Sequence, residues 1–234
     1  CIRDSVEIVR RILAREEPLT FDGYHYQLPL TGPNTTGAGK PLKSVAHTNP
    51  EQPIFLASIS PGGLRCAAEI ADGVLLSFLD PTDTEEIVDR HLAEGFAKPA
   101  ARNERDTFTV STFVNVIVHE NPDEVIAAMK PGLARQLGGM GSKNKNFYAE
   151  FARRMGYDEA VEQIQTLYLS GEKQQAAEAV PADLVDRTNL IGSPARIRER
   201  LAQWKAAEKR GALDMMLLTT VQPQAMRLMA QELL

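Results

Sequence analysis

The sequence predicts an α/β fold in which parallel strands alternate with helices, as in the C-terminal half of a (βα)8 barrel. Short apolar runs without polar alternation recur along the chain, which is typical of parallel strands buried on both faces. Amphipathic helical segments separate these runs, so right-handed crossovers join the strands. The 234 residues, less a helical excursion, hold about half of a full barrel of roughly 250 residues. A small doubly wound sheet is the alternative, but a chain that starts at Cys1 already inside a helical pattern favours the half-barrel.

The elements are predicted in the following order. A helix covers about residues 2–16, an Asp22-Gly23 turn forms a small hairpin, and residues 31–50 form a long loop rich in Gly and Pro. Strands are predicted at 54–59, 74–78, 107–118 and 214–220. Helices are predicted at 64–71, 83–97, from 121 onward, at 193–209 and at 223–234. Between 137 and 187 the period is helical apart from a Gly-rich stretch, so we expect one domain over 1–234 with a helical insertion before the last strand.

Charge and composition exclude several classes of protein. The net charge of −5 argues against a nucleic-acid partner. No apolar run approaches the ~20 residues that would span a bilayer, and no signal-peptide pattern opens the chain. Two cysteines without a spaced motif fit reduced thiols, so we expect a cytoplasmic protein without a membrane partner.

Metal chemistry is not predicted. The four histidines are scattered, and none has ligand spacing with Cys, Asp or Glu. His91 lies in a predicted helix and is interpreted as structural, and no Ser-His-Asp set appears.

The stretch "IFLASISPGGLRCAAEIADGVLLSF", residues 54–78, carries the main candidate site. A Gly-rich turn between a parallel strand and a helix presents free N–H groups at a positive helix end, which suits a phosphate. Neither nucleotide-binding fingerprint is present, so a tight strand-to-helix connection is the alternative. Asp72-Gly73 most simply makes a turn in which the Asp caps local N–H groups.

Residues 130–154 form a local positive island. Six cations, Lys130, Arg135, Lys143, Lys145, Arg153 and Arg154, stand there against one acid, Glu150. Such an island attracts an anionic cofactor or substrate, and a solvated helix face is the alternative.

Several of these segments resemble luciferase-like monooxygenases. "PIFLASISPGGLRCAAEIADGVLL" is similar to the family segment P-I-[YF]-[LI]-A-A-x-G-P-x-x-x-x-L-A-G-E-x-A-D-G-[VW]-[IL]. "VEIVRRILAREEPLTFDGYHYQLP" resembles the stretch between the fourth and fifth strands, and "DLVDRTNLIGSPARIRERLAQWK" resembles the family's closing G-[ST]-P helix. "GAGKPLKS" and "GGMGSKNKNFYAEFARRMGY" resemble a branch that uses coenzyme F420, a deazaflavin. The resemblance covers essentially the whole chain.

The resemblance implies a (βα)8 barrel with a helical insertion before the last strand, of which this chain lacks strands one to four. It implies a cofactor at the carboxyl ends of the strands. The implied cofactor-binding residues are Ala57, Ser58, Ile59, Ser60, Pro61, Gly62, Gly73, Val74, Leu75 and Ser77. Two of them depart from the family pattern, since Ser60 replaces the usual Gly and Gly62 a frequently larger residue.

The implied reaction is hydride transfer between coenzyme F420 and an unknown organic small molecule. The alternatives are a flavin mononucleotide (FMN)-dependent monooxygenase of the same fold and a non-catalytic barrel subunit. Candidate substrate residues are Phe113, Asn115, Gly139 and Met140, and no catalytic base is assigned. We expect a homo-oligomer at full length. We expect the isolated half-barrel to be inactive and to self-associate through its unpaired edges.

Overall fold

A computed structural model describes residues 2–142 and 145–234 of the chain. The strands are β1 (Phe21–Asp22), β2 (Gln27–Leu28), β3 (Phe55–Ala57), β4 (Gly73–Leu76), β5 (Thr109–Val118), β6 (Leu190–Gly192) and β7 (Met215–Thr219). The α-helices are α1 (Ile2–Ala14), α2 (Pro61–Ile70), α3 (Arg90–Phe96), α4 (Pro122–Gly139), α5 (Phe147–Arg154), α6 (Asp158–Leu169), α7 (Lys173–Glu178), α8 (Ala182–Arg187), α9 (Pro194–Lys209) and α10 (Pro223–Leu233).

Strand β5 is the centre of the sheet, because three other strands pair with it. Its first part, 109–112, pairs with β4, its middle, 111–115, with β7, and its end, 116–118, with β6. Strand β3 adds to the far side of β4, and every pairing among these five strands is parallel. The predicted α/β fold with a parallel sheet is therefore confirmed.

The structure corrects the predicted elements in three places. A fifth parallel strand, β6, lies in a stretch to which the sequence assigned no strand, because three residues are too few to show a pattern. The helix predicted at 83–97 begins as a π-helical turn over Glu85–Asp89 before α3. The strand predicted from residue 107 starts at Thr109, since Arg105–Thr107 form a short 3₁₀ helix.

The structure contains the predicted hairpin and the long loop that follows it. Phe21 pairs with Leu28 and Asp22 with Gln27, which confirms the small hairpin. The following residues, 31–50, are mostly exposed. A backbone bridge joins Leu42 to Leu19, and Arg15 donates a hydrogen bond to the Ser44 carbonyl at 3.2 Å.

Alternation along β5 decides which side chains can form a site. Val110, Val114 and Val116 are fully buried against the helices that cover one face of the sheet. Successive side chains of a strand point to opposite faces. Phe113, which is 42% exposed, and Asn115 therefore lie on the other, open face of the sheet.

Asp72 joins three segments of the chain at the amino end of the sheet. Its Oδ2 accepts a hydrogen bond from the Ile54 N–H at 2.8 Å and another from Arg10 of α1 at 2.8 Å, and its Oδ1 accepts from Arg102 at 3.0 Å. Burial alone would raise the pKa of Asp72, but these donors outweigh it and lower the pKa. Asp72 thus joins distant segments of the chain, whereas the sequence predicted that it would cap local N–H groups of its own turn.

Glu69 of α2 makes the second ionic connection to α1. Its carboxylate accepts from the Arg3 guanidinium at 2.6 Å and from the Lys98 ammonium at 2.6 Å. The hydrogen bonds from Arg3, with Lys98 beside them, lower the pKa of Glu69 to about 2.

Replacing Glu69 by Gln should lower the free energy of unfolding by about 1–2 kcal/mol at neutral pH. Because the pKa of Glu69 is lowered from 4.5 to about 2, this contribution to stability is fully present above pH 4.5. It is lost as the pH falls from 4.5 toward about 2. Urea unfolding of both proteins from pH 7 to pH 2 measures the effect. Glu159→Gln, on the exposed side of α6, is the matched control. A Glu69→Gln deficit that stays constant down to pH 2 would contradict the assignment.

Candidate cofactor and substrate site

The turn between β3 and α2 is built as a helix N-terminus. Ser60 is the N-cap, and its hydroxyl accepts a hydrogen bond from the Gly63 N–H at 3.2 Å. Pro61 occupies the first helical position, where no N–H is needed. Since the hydroxyl of Ser60 already serves Gly63, the Gly62 N–H is the group of the first turn left for a ligand.

The two glycines of this turn differ in their surroundings. A Cβ on Gly63 would lie 1.9 Å from Ser58 Oγ and 2.9 Å from Ser58 Cβ, so this position has room only for Gly. A Cβ on Gly62 would meet nothing within 4 Å. Gly63 therefore closes the turn, whereas Gly62 borders open space.

That open space is a cavity of about 460 Å³, here called the loop cavity. Its lining residues are Ile2, Ala57, Ser58, Ile59, Ser60, Gly62, Gly63, Cys66, Leu75, Ser77, Phe147 and Tyr148. Seven of the ten cofactor-binding residues expected from the resemblance are among them.

Two of the remaining three are placed elsewhere, at the amino end of β4. A Cβ on Gly73 would lie 2.4 Å from the Phe55 ring and 2.7 Å from the Thr109 carbonyl, so this Gly allows close packing of strands. Val74 is fully buried, and its carbonyl accepts a hydrogen bond from Ser111. Neither lines the loop cavity, because the strand's amino end lies away from the α2 N-terminus. Pro61, the third, lies at the start of α2 beside the cavity.

A second cavity of about 460 Å³, here called the sheet cavity, lies between the open face of the sheet and α4. Its lining residues are Ser77, Phe78, Phe113, Asn115, Ala128, Met129, Gly132, Leu133, Gln136, Val185, Thr188, Asn189 and Thr219. Phe113 and Asn115, two of the four expected substrate residues, are among them.

The other two expected substrate residues lie at the end of α4. Gly139 packs under the Tyr168 ring, where a Cβ would lie 2.5 Å from a ring carbon. Met140 is the C-cap of α4 and is 38% exposed. Neither is a lining residue of the sheet cavity, so the Gly-rich sequence here serves helix packing.

A row of hydrogen-bonded side chains crosses the floor of the sheet cavity. The register of the sheet sets Asn115 opposite Thr219, and the Thr219 hydroxyl donates to Asn115 Oδ1 at 2.7 Å. On the other side, Asn115 Nδ2 donates to Asn189 Oδ1 at 2.7 Å. The sequence did not indicate Asn189, because its contribution depends on the short strand β6 that follows it.

Ser77 lines both cavities, and Phe78 stands beside it at the end of β4. Phe78 has a φ of 35°, a left-handed conformation that a side chain other than Gly adopts only under strain. Its ring packs on Tyr148 at 5.9 Å and edge-on to Phe151 at 5.3 Å between centroids. These aromatic contacts fix the ring in the lining of the sheet cavity, and Tyr148 lines the loop cavity.

One family model matches most of the chain. Its description is luciferase-like monooxygenase, and the match covers residues 2–210.

The chain belongs to the luciferase-like monooxygenase family. A Mycobacterium tuberculosis (strain H37Rv) protein, provisionally named a coenzyme F420-dependent oxidoreductase, is 39% identical over 226 residues, 96% of this chain and 64% of that protein. The 5,10-methylenetetrahydromethanopterin reductase of Archaeoglobus fulgidus is 24% identical over 211 residues, 88% of this chain and 57% of that enzyme. The chain thus spans less than two thirds of the length of these relatives.

Solved structures share the fold. The coenzyme F420-dependent tetrahydromethanopterin reductase of Methanopyrus kandleri matches with a TM-score of 0.70 at 22% identity, over 99% of this chain and 61% of that one. An F420-dependent secondary alcohol dehydrogenase, solved with an F420–acetone adduct, matches with a TM-score of 0.63 at 14% identity, over 97% of this chain and 57% of that one. The likeness confirms the predicted luciferase-like barrel architecture, although the strands of the described residues form an open sheet.

The cations of the positive island at 130–154 have different roles. Arg154 of α5 donates to the carbonyl of Ile59 in the β3–α2 turn, and burial lowers its pKa. Arg153 pairs with Glu150 at 2.7 Å and donates to Gln165 at 2.9 Å. Lys143 lies outside the described residues. Arg154 therefore stabilises the turn, and it is not part of a solvated helix face.

Residues 2–142 and 145–234 contain neither a cluster of metal-ligating side chains nor a helix suited to a membrane. No group of three or more His, Cys, Asp or Glu side chains is arranged there to hold a metal ion. None of the helices in these ranges has both the length and the apolar character needed to cross a membrane. His91, which is 5% exposed, lies within the packed helices, and burial lowers its pKa.

Replacing Gly63 by Ala should lower the free energy of unfolding by about 1–3 kcal/mol, because the new methyl group displaces Ser58. Replacing Gly62 by Ala should leave it unchanged or raise it by up to about 1 kcal/mol, since Ala favours a helix and meets no atom there. Thermal and urea unfolding of both variants makes the comparison. Equal effects at the two positions would show that the turn is packed differently.

Proposed function

We propose that the protein is an oxidoreductase that transfers a hydride between coenzyme F420 and an organic small molecule, and that this chain supplies one wall of the cofactor site. The observation that carries the proposal is the loop cavity, in which seven residues expected from the resemblance line one space at the N-terminus of α2. The F420-dependent relatives support the choice of cofactor.

The residues of the loop cavity fit a phosphate-bearing cofactor. The α2 N-terminus provides the Gly62 N–H and a partial positive charge. A ligand can approach the Gly62 N–H closely because Gly62 has no side chain. Arg154 stabilises the turn by donating a hydrogen bond to the Ile59 carbonyl. Ala57, Leu75 and Ser77 extend the wall along the strands, where a flat ring system would lie.

The bound deazaflavin would supply the hydride. This chain's part is to hold the phosphate end at α2 and to place the ring edge toward Ser77, where the sheet cavity begins. Because both cavities share that small side chain, a molecule in the sheet cavity would lie in contact with one in the loop cavity. Such adjacency is what direct hydride transfer requires.

Coenzyme F420 should protect Cys66 from alkylation, since this thiol lines the loop cavity. Iodoacetamide labelling, followed by mass spectrometry of the peptide that contains Cys66, should slow at least fivefold with saturating F420. FMN is the matched competitor. Protection by FMN and none by F420 would instead indicate the FMN-dependent monooxygenase, and protection by neither would favour a non-catalytic barrel subunit.

Replacing Gly62 by Glu should weaken F420 binding at least tenfold, because it places a carboxylate beside the cofactor phosphate. Gly62→Gln, of nearly the same size, should weaken binding by less than threefold. Fluorescence titration at two salt concentrations makes the comparison, and the difference should shrink at the higher one. Equal losses in the two variants would indicate a steric effect and would argue against a phosphate at this turn.

A further inference from the structure

The orientation of Asn189 in the sheet cavity is determined by main-chain groups. Its Nδ2 donates to the Val185 carbonyl at 2.7 Å, and a carbonyl can only accept. Its Oδ1 accepts from the Asn115 main-chain N–H at 3.3 Å, and an N–H can only donate. These two partners fix which end of the Asn189 amide is oxygen, and Asn189 Oδ1 therefore faces Asn115.

The orientation of Asn115 follows from that of Asn189. Its Nδ2 must point toward Asn189 Oδ1, which it meets at 2.7 Å, and its Oδ1 then accepts from the Thr219 hydroxyl at 2.7 Å. An amide nitrogen carries two hydrogens, and this contact uses one of them. The second finds no acceptor within residues 2–142 and 145–234, and Asn115 borders the cavity.

The cavity around this donor is uncharged. Each of its lining residues among the described part of the chain has a neutral side chain. An ion that entered would lose water without gaining an opposite charge, which is costly. Phe113, Met129 and Leu133 instead offer apolar contact, and about 460 Å³ suits a small organic molecule.

We propose that the sheet cavity binds an uncharged organic molecule through a carbonyl oxygen, which accepts a hydrogen bond from Asn115 Nδ2. Asn189 and Thr219 are positioning residues, because they fix the amide that makes this contact. The inference rests on the proposed function only in identifying this molecule as the substrate.

Three six-membered-ring compounds of similar size test the selectivity for an uncharged ligand. Cyclohexanone, cyclohexanecarboxylate and cyclohexylammonium are titrated into ¹⁵N-labelled protein, and the side-chain amide signals of Asn115 are followed by NMR. Cyclohexanone should shift these signals and bind at least tenfold more tightly than either ion. An ion that binds as tightly as the ketone, or ketone binding that leaves the Asn115 amide signals unmoved, would overturn the proposal.

Variants test the assignment of the donor. Asn115→Leu should weaken cyclohexanone binding about tenfold, as expected for one lost hydrogen bond. Gln136→Leu, at another polar lining position, should change it by less than twofold. Loss confined to Gln136→Leu would overturn the assignment to Asn115.

Thr219 provides a test that leaves Asn115 in place. Thr219→Val removes the hydroxyl that orients the amide and should weaken ketone binding about threefold, whereas Thr219→Ser keeps the hydroxyl and should restore it. Both variants are titrated at temperatures equally far below their own unfolding midpoints. If Thr219 acted only on stability, the two variants would then bind the ketone equally well, and that result would contradict the positioning role.

Protection of Cys66 by F420, measured on the same samples, separates this inference from the proposed function. Protected Cys66 without ketone binding would overturn the inference and leave the proposed function standing. Ketone binding at Asn115 without Cys66 protection would support the binding site and contradict the cofactor assignment.

Discussion

The backbone hydrogen bonds of β5 are the constraint on which the rest of the structure depends. One ten-residue strand carries β4 on its first part, β7 on its middle and β6 on its end. Its register determines which residues of distant segments become neighbours. Asn115 lies beside Asn189 and Thr219, 74 and 104 residues away along the chain, only because the three strands keep this alignment.

The sequence predicts those parts of the molecule that local patterns encode. The strand, Ser-Pro-Gly-Gly turn and helix at 54–70 form one continuous signal, and the resemblance added the residues of the loop cavity. The sheet cavity is harder to predict, because α4, α8 and the link between α8 and β6 each contribute from separate segments. Gly73 and Gly139 show the limit of motif reasoning, since a Gly kept for close packing looks the same in sequence as one that approaches a ligand.

The ionic contacts of Asp72 and the loop cavity are located at opposite ends of the parallel sheet. Asp72 gathers Arg10, Arg102 and the Ile54 N–H at the amino end. At the carboxyl end, Ser77 and the α2 turn present hydroxyl and N–H groups with open space before them. This separation is a general property of parallel α/β folds, in which the carboxyl-end loops vary while the amino end holds the layers together.

Phe78 has a consequence for how such a sequence evolves. A left-handed backbone costs a residue other than Gly about 1–2 kcal/mol, so the backbone conformation taken by itself would favour Gly at this position. Gly would remove the ring that packs on Tyr148 and Phe151. An aromatic residue that persists at position 78 in a population of sequences is therefore a mark of selection for this ring packing, which outweighs the strain of the backbone.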